Sequence, residues 1–111
     1  MQNIDQIKIA EEILRTGGLS PHDLAELKTK LAAEYSFILG QLEIVLITKA
    51  TSWPILRLVA KSDKQADRAF DATDEGKDEI GLKLRAKRIE KLLGAISSLL
   101  RLYEHEVKNL I

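Results

Sequence analysis

Acidic side chains crowd one stretch of this sequence. Asp71, Glu75, Asp78 and Glu79 fall within about two helical turns. Carboxylates at i, i+4 and i+7 share a helix face, and such a face can hold Mg²⁺ or Mn²⁺. Basic side chains follow at once: Lys83, Arg85, Lys87, Arg88 and Lys91. A basic helical segment of this kind meets phosphates in a sequence-tolerant, salt-sensitive way. No aromatic residue lies among these bases to stack on a nucleobase, as single-strand binders provide. His22 and His105 are the two histidines, and neither has a neighbouring Ser or Cys to suggest a nucleophile pair. There is no cysteine, which excludes disulfides, thiolate zinc sites and thiol catalysis. Gly17-Gly18 is not followed by Lys-Ser/Thr, so it is no phosphate-cradling loop.

The run Glu75-Gly-Lys-Asp78-Glu79 resembles one half of the acidic motif of all-α nucleotide pyrophosphatases. In that family a Glu-x-x-Glu on one helix faces a Glu-x-x-Asp on another. The resemblance implies metal-dependent hydrolysis. The facing half has no counterpart here: Glu34 and Glu43 are nine apart, and Glu11-Glu12 are adjacent. A solvated acidic face is the competing reading, and no cofactor or metal is called for.

The charges also follow a larger pattern. From Asp63 to Glu79 the acids Asp63, Asp67, Asp71, Asp74, Glu75, Asp78 and Glu79 outnumber the bases Lys64, Arg68 and Lys77 by four. From Lys83 to Lys91 the five bases outnumber Glu90 by four. Two copies of such a helix laid antiparallel, crossing near residues 78–81, set each acidic half against a basic half. The alternative is a solvated helix whose charges pair within the molecule.

Helices are what must position these groups. Ile4, Ile7, Ile9, Ile13 and Leu14 predict a short first helix stopped at Gly17-Gly18. Ser20, Pro21 and Asp23 form a strong helix start. Leu24, Leu27, Leu31, Tyr35, Ile38, Leu42 and Val45 then step by three or four residues towards Lys49. Leu39, Ile44, Leu46 and Ile47 widen that face beyond what one neighbour covers. Trp53-Pro54 predicts a bend or restart. Ser62 with Gln65 fits a capping box for a final long helix reaching about Asn109. Its glycines mark either close approach by another helix or a break between Thr73 and Ile80. Small residues at Ala66, Ala69, Thr73 and Gly76, followed by Ile80, permit a near neighbour. Ile89, Leu92, Leu93, Ile96, Leu99, Leu100, Tyr103 and Val107 form an ordinary core stripe.

With 111 residues, 45% hydrophobic and 5% aromatic, the chain reads as a single all-α domain, 1–111. The expected fold is a helical bundle or extended helical hairpin of long amphipathic helices, coiled-coil-like and dimeric. The balance of 17 bases and 17 acids provides no global attraction for DNA or anionic lipid. The N-terminus lacks the basic start of a signal peptide, and Leu42–Ile47 is too short an apolar run to span a bilayer. A soluble, cytoplasmic protein is expected.

The segment from Lys61 to Asn109 resembles small helical proteins encoded by bacteriophages and prophages. The residues that carry the resemblance are Ala66-Asp67, Asp71, Thr73 and Gly76, followed by the "IEKLL" run at Ile89–Leu93. It implies an accessory role in DNA metabolism or host interaction, with no catalytic residue to carry over. The leading expectation is a non-enzymatic interaction or scaffold protein acting as a homo-oligomer, with itself or another protein as partner and no membrane. Its expected interface is Leu31, Ile38, Leu42, Val45, Trp53, Ala66, Ala69, Thr73, Gly76 and Ile80. Nucleic-acid binding through residues 83–91 and the pyrophosphatase-like enzyme are the alternatives.

Overall fold

The computed structural model describes residues 5–110. The chain is all-α: α1 (Gln6–Thr16), α2 (Pro21–Val59), α3 (Asp63–Asp71) and α4 (Asp74–Leu110), with no strand among the described residues. Ile4, expected in the first helix, lies outside them. The helices contribute to two compact units. One comprises the chain up to Ser36 together with Lys87 onward, and the other is Phe37–Ala86.

The first unit packs α1, the start of α2 and the later part of α4. Asp5 caps α1, its Oδ1 accepting from the backbone N–H groups of Ile7 and Lys8 at 3.2 Å. Gly17 and Gly18 end the helix at φ of 77° and 76°, a region that side-chain-bearing residues avoid. Ser20 begins α2 as expected, its Oγ accepting from the Asp23 N–H at 3.1 Å. Ile7 and Ala10, Leu24 and Leu31, and Ile89, Leu92 and Ile96 form the buried core. Ile9, one of the residues whose spacing predicts this helix, is exposed. Three long-range contacts tie the helices: Arg88 with Glu11, the Tyr35 hydroxyl to Glu90 at 2.6 Å, and the Tyr103 hydroxyl to the Leu19 carbonyl at 3.0 Å.

The second unit packs the later part of α2, α3 and the start of α4. Ile38, Val45, Ala66, Phe70 and Ala86 are buried there, with Gly76. Two expectations are corrected. The helix does not restart at Trp53-Pro54: α2 continues through Pro54 to Val59. Proline inside a helix costs about 3 kcal/mol. Here the turns on either side of it are anchored to α3, by the Trp53 indole N–H donating to Asp67 at 2.8 Å and by Arg57 to Asp63 at 2.6 Å.

The long final helix is in fact two, interrupted at Ala72-Thr73. Ser62 caps α3 through the Gln65 N–H at 3.2 Å, while the Gln65 side chain accepts from the Lys61 N–H at 2.7 Å. Thr73 then closes α3 and opens α4. Its hydroxyl donates to the Phe70 carbonyl at 2.5 Å and accepts from the Gly76 N–H at 3.1 Å. The acidic residues are therefore divided between α3 and the first turns of α4. The end-for-end pairing drawn for one continuous rod has no such rod to act on.

Candidate functional site

Within the second unit, the acids and bases are drawn into the packing. Among the described residues Glu79 is the buried charged one, 5% exposed. The Lys83 ammonium donates to its Oε2 at 2.7 Å, and the Lys49 ammonium stands 3.1 Å from its Oε1. That second contact is an ion pair at a buried carboxylate oxygen. The Lys83 hydrogen bond, and then Lys49, hold the Glu79 carboxyl below its ordinary value near 4.5, while burial acts in the opposite direction. Lys49 also lies 5.2 Å from the centre of the Phe70 ring. The cluster joins α2, α3 and α4, and every cation in it already has its anion.

This arrangement bears on each expected chemistry. Asp71 closes α3 while Glu75, Asp78 and Glu79 lie on α4, and Glu79 is committed to two lysines. Among the described residues no three His, Asp or Glu side chains converge to hold a metal ion. Of the bases, Lys83 is paired with Glu79, and Arg88 with Glu11, which raises the Arg88 pKa further. Arg85 is half-buried. Lys87 and Lys91 remain exposed. His22 lies 3.9 Å from Glu26 on an exposed turn, and His105 is exposed. The Tyr35 hydroxyl is pushed above its usual value of 10.0 by its hydrogen bond to Glu90.

The expected interface residues are mostly covered by their own chain. Leu31, Ile38, Val45, Ala66 and Gly76 are buried, and Leu42, Trp53 and Thr73 are half-buried. Ala69 and Ile80 are exposed. A second copy cannot reach the buried members of that set without displacing α3 or α4. The open apolar surface lies elsewhere on α2. Phe37, Ile44, Ile47, Ile55 and Leu58 are 61%, 59%, 62%, 63% and 85% exposed. Their spacing places them on the side away from Ile38 and Val45. Sequence periodicity showed α2 to be too apolar for one neighbour. It did not show which side stayed open, because both sides carry large aliphatic residues.

By length and composition α2 also contains an 18-residue window apolar enough to cross a membrane, and 11% of that window is buried. The expectation drawn from the short run Leu42–Ile47 took too narrow a view of this helix. The packed side of α2 is nonetheless tied to polar helices, through Lys49 to Glu79 and Trp53 to Asp67.

Comparison with protein families, with curated proteins and with solved structures finds no match to this chain.

Proposed function

We propose that this protein is a non-enzymatic helical interaction protein that works as a homo-oligomer. One observation carries the reading. Large aliphatic and aromatic side chains line the outer side of α2 from Phe37 to Leu58, more than half exposed, while the opposite side of the same helix is packed. A soluble chain rarely leaves a contiguous apolar strip of that length uncovered. Of the acids that would suggest an enzyme, Glu79 is instead held between Lys49 and Lys83, where it joins α2 to α4. A cytoplasmic location belongs to the same reading, since entry of α2 into a bilayer would break the Lys49–Glu79 and Trp53–Asp67 contacts or draw charged α3 and α4 in with it. So does an accessory role of phage or prophage type, which rests on the resemblance of residues 61–109.

Sedimentation equilibrium tests the proposal. The expected mass at micromolar concentration is twice the chain's 12.5 kDa or more. A monomer across the whole concentration range rejects it. A gel-shift titration at low salt separates the nucleic-acid alternative, for which Lys87 and Lys91 are the exposed candidates: retardation that vanishes with salt would favour it.

A further inference from the structure

The open side of α2 has a spacing of its own. Phe37, Gly40, Ile44, Ile47, Thr51, Pro54 and Leu58 recur by three and four residues, with Ile55 beside them. This is the seam spacing of a helix that pairs with another helix, kept over three heptads. Gly40 has nothing within 4 Å of where a Cβ would stand. The hydroxyl of Thr51 is already bonded to the Ile47 carbonyl at 3.4 Å, so it brings no unmet polar group to a contact.

Two charges flank the strip on one edge, two heptads apart. Glu43 is exposed. Arg57 is bonded through Nε to Asp63 and through a terminal nitrogen to the Ala60 carbonyl. A guanidinium has five N–H donors, so others remain available. If two copies lie antiparallel about position 49, Gly40 of each meets Leu58 of the other, a gap facing a large side chain. Ile47 then meets Thr51, and Ile44 meets Pro54. In the same register Glu43 of each copy falls beside Arg57 of the other, twice by symmetry. Parallel pairing stacks Gly40 on Gly40 and Pro54 on Pro54, and sets Glu43 of one copy away from Arg57 of the other.

We infer that the occupant of the open α2 face is a second copy of this chain, seated antiparallel with its two-fold axis near residue 49 and its register set by Glu43–Arg57 pairs. The inference rests on the self-association reading and adds the surface, direction and register.

The absence of native cysteine makes the test clean. Ala50→Cys lies beside the axis, and Phe37→Cys lies at the end of the seam. In the antiparallel arrangement, copies of position 50 are neighbours, whereas copies of position 37 are about 36 Å apart at 1.5 Å per residue. With each variant confirmed as a dimer by sedimentation, a short bismaleimide is expected to link A50C into a covalent dimer and to leave F37C unlinked. Linking of F37C overturns the antiparallel direction while self-association stands. A sedimenting dimer in which A50C fails to link overturns the register. Unmutated protein that stays monomeric at every concentration removes both this inference and the reading beneath it.

Discussion

Gly76 has no room for a side chain. A Cβ built there falls 2.0 Å from the Phe70 carbonyl oxygen and 2.6 Å from the Asp71 Cα, both backbone atoms that cannot swing aside. Gly76→Ala is therefore expected to cost about 1–3 kcal/mol in urea unfolding, the range for overpacked sites. Read this way, the Ala66, Asp67, Thr73, Gly76 pattern describes the corner between α3 and α4. Ala66 is buried, Asp67 receives the Trp53 indole and Thr73 caps both helices. Glu79 provides the pH-dependent counterpart. Its pKa is depressed in the folded chain, so its contribution to stability is complete above the ordinary value near 4.5 and is lost as pH falls through the lower, folded value. Glu79→Gln should lose about 1–2 kcal/mol at neutral pH, less than a fully buried pair because both lysines reach solvent. The gap between variant and parent should close on acidification below that range. Equal stability of the two proteins at pH 7 would show the cluster to be inert. The Glu79–Lys83 spacing at i,i+4 could be read from sequence, whereas Lys49, thirty residues away, could be found only by folding the chain.

Helix boundaries divided along the same line between local and distant causes. Ser20, Ser62 and Gly17-Gly18 act through bonds to residues a few positions away, and each does in the structure what its type foretold. Pro54 did not, because its outcome depends on contacts to Asp67 and Asp63 in another helix. A break between Thr73 and Ile80 was one of two readings open to the glycine pattern, and the interruption falls just ahead of that range, at Ala72-Thr73; the choice lay in whether Gly76 met a foreign helix or the end of α3. If α2 carries Pro54 against its local preference, removing the proline should release part of the cost. Pro54→Ala is expected to raise unfolding stability by about 1–2 kcal/mol with the circular dichroism spectrum unchanged. A loss of stability would mean that the proline shapes α2 for its contacts with α3. Conversely, Thr73→Ala removes the cap shared by α3 and α4 and should lower stability by about 1 kcal/mol.

Across the whole chain, the described residues bury seven large apolar side chains almost completely: Phe70, Ile7, Leu24, Leu31, Ile38, Ile89 and Ile96. Eight others on the later part of α2 alone stay well exposed: Phe37, Leu39, Ile44, Leu46, Ile47, Ile55, Leu58 and Val59. Fully burying one such side chain contributes about 1.5–3 kcal/mol, so covering even part of the strip of Phe37, Ile44, Ile47, Ile55 and Leu58 outweighs the exposed ion pairs, at about 0–1 kcal/mol each. Association should accordingly be driven by apolar contact, with charge choosing direction. That separates it from nucleic-acid binding, which weakens steeply with salt. The decisive variant is Ile44→Glu with Ile47→Glu. Both side chains already face solvent in the single chain, so helical content should be preserved. In an assembled protein the same changes would place four carboxylates in the seam of a dimer, where burial disfavours the charged form. The double variant should sediment as a monomer. Its urea midpoint should also lose the dependence on protein concentration that an associating parent shows, because folding is then no longer linked to assembly. A double variant that stays dimeric would place the contact on another face, with Ile80 and Leu84 of α4, 46% and 58% exposed, the next strip to alter.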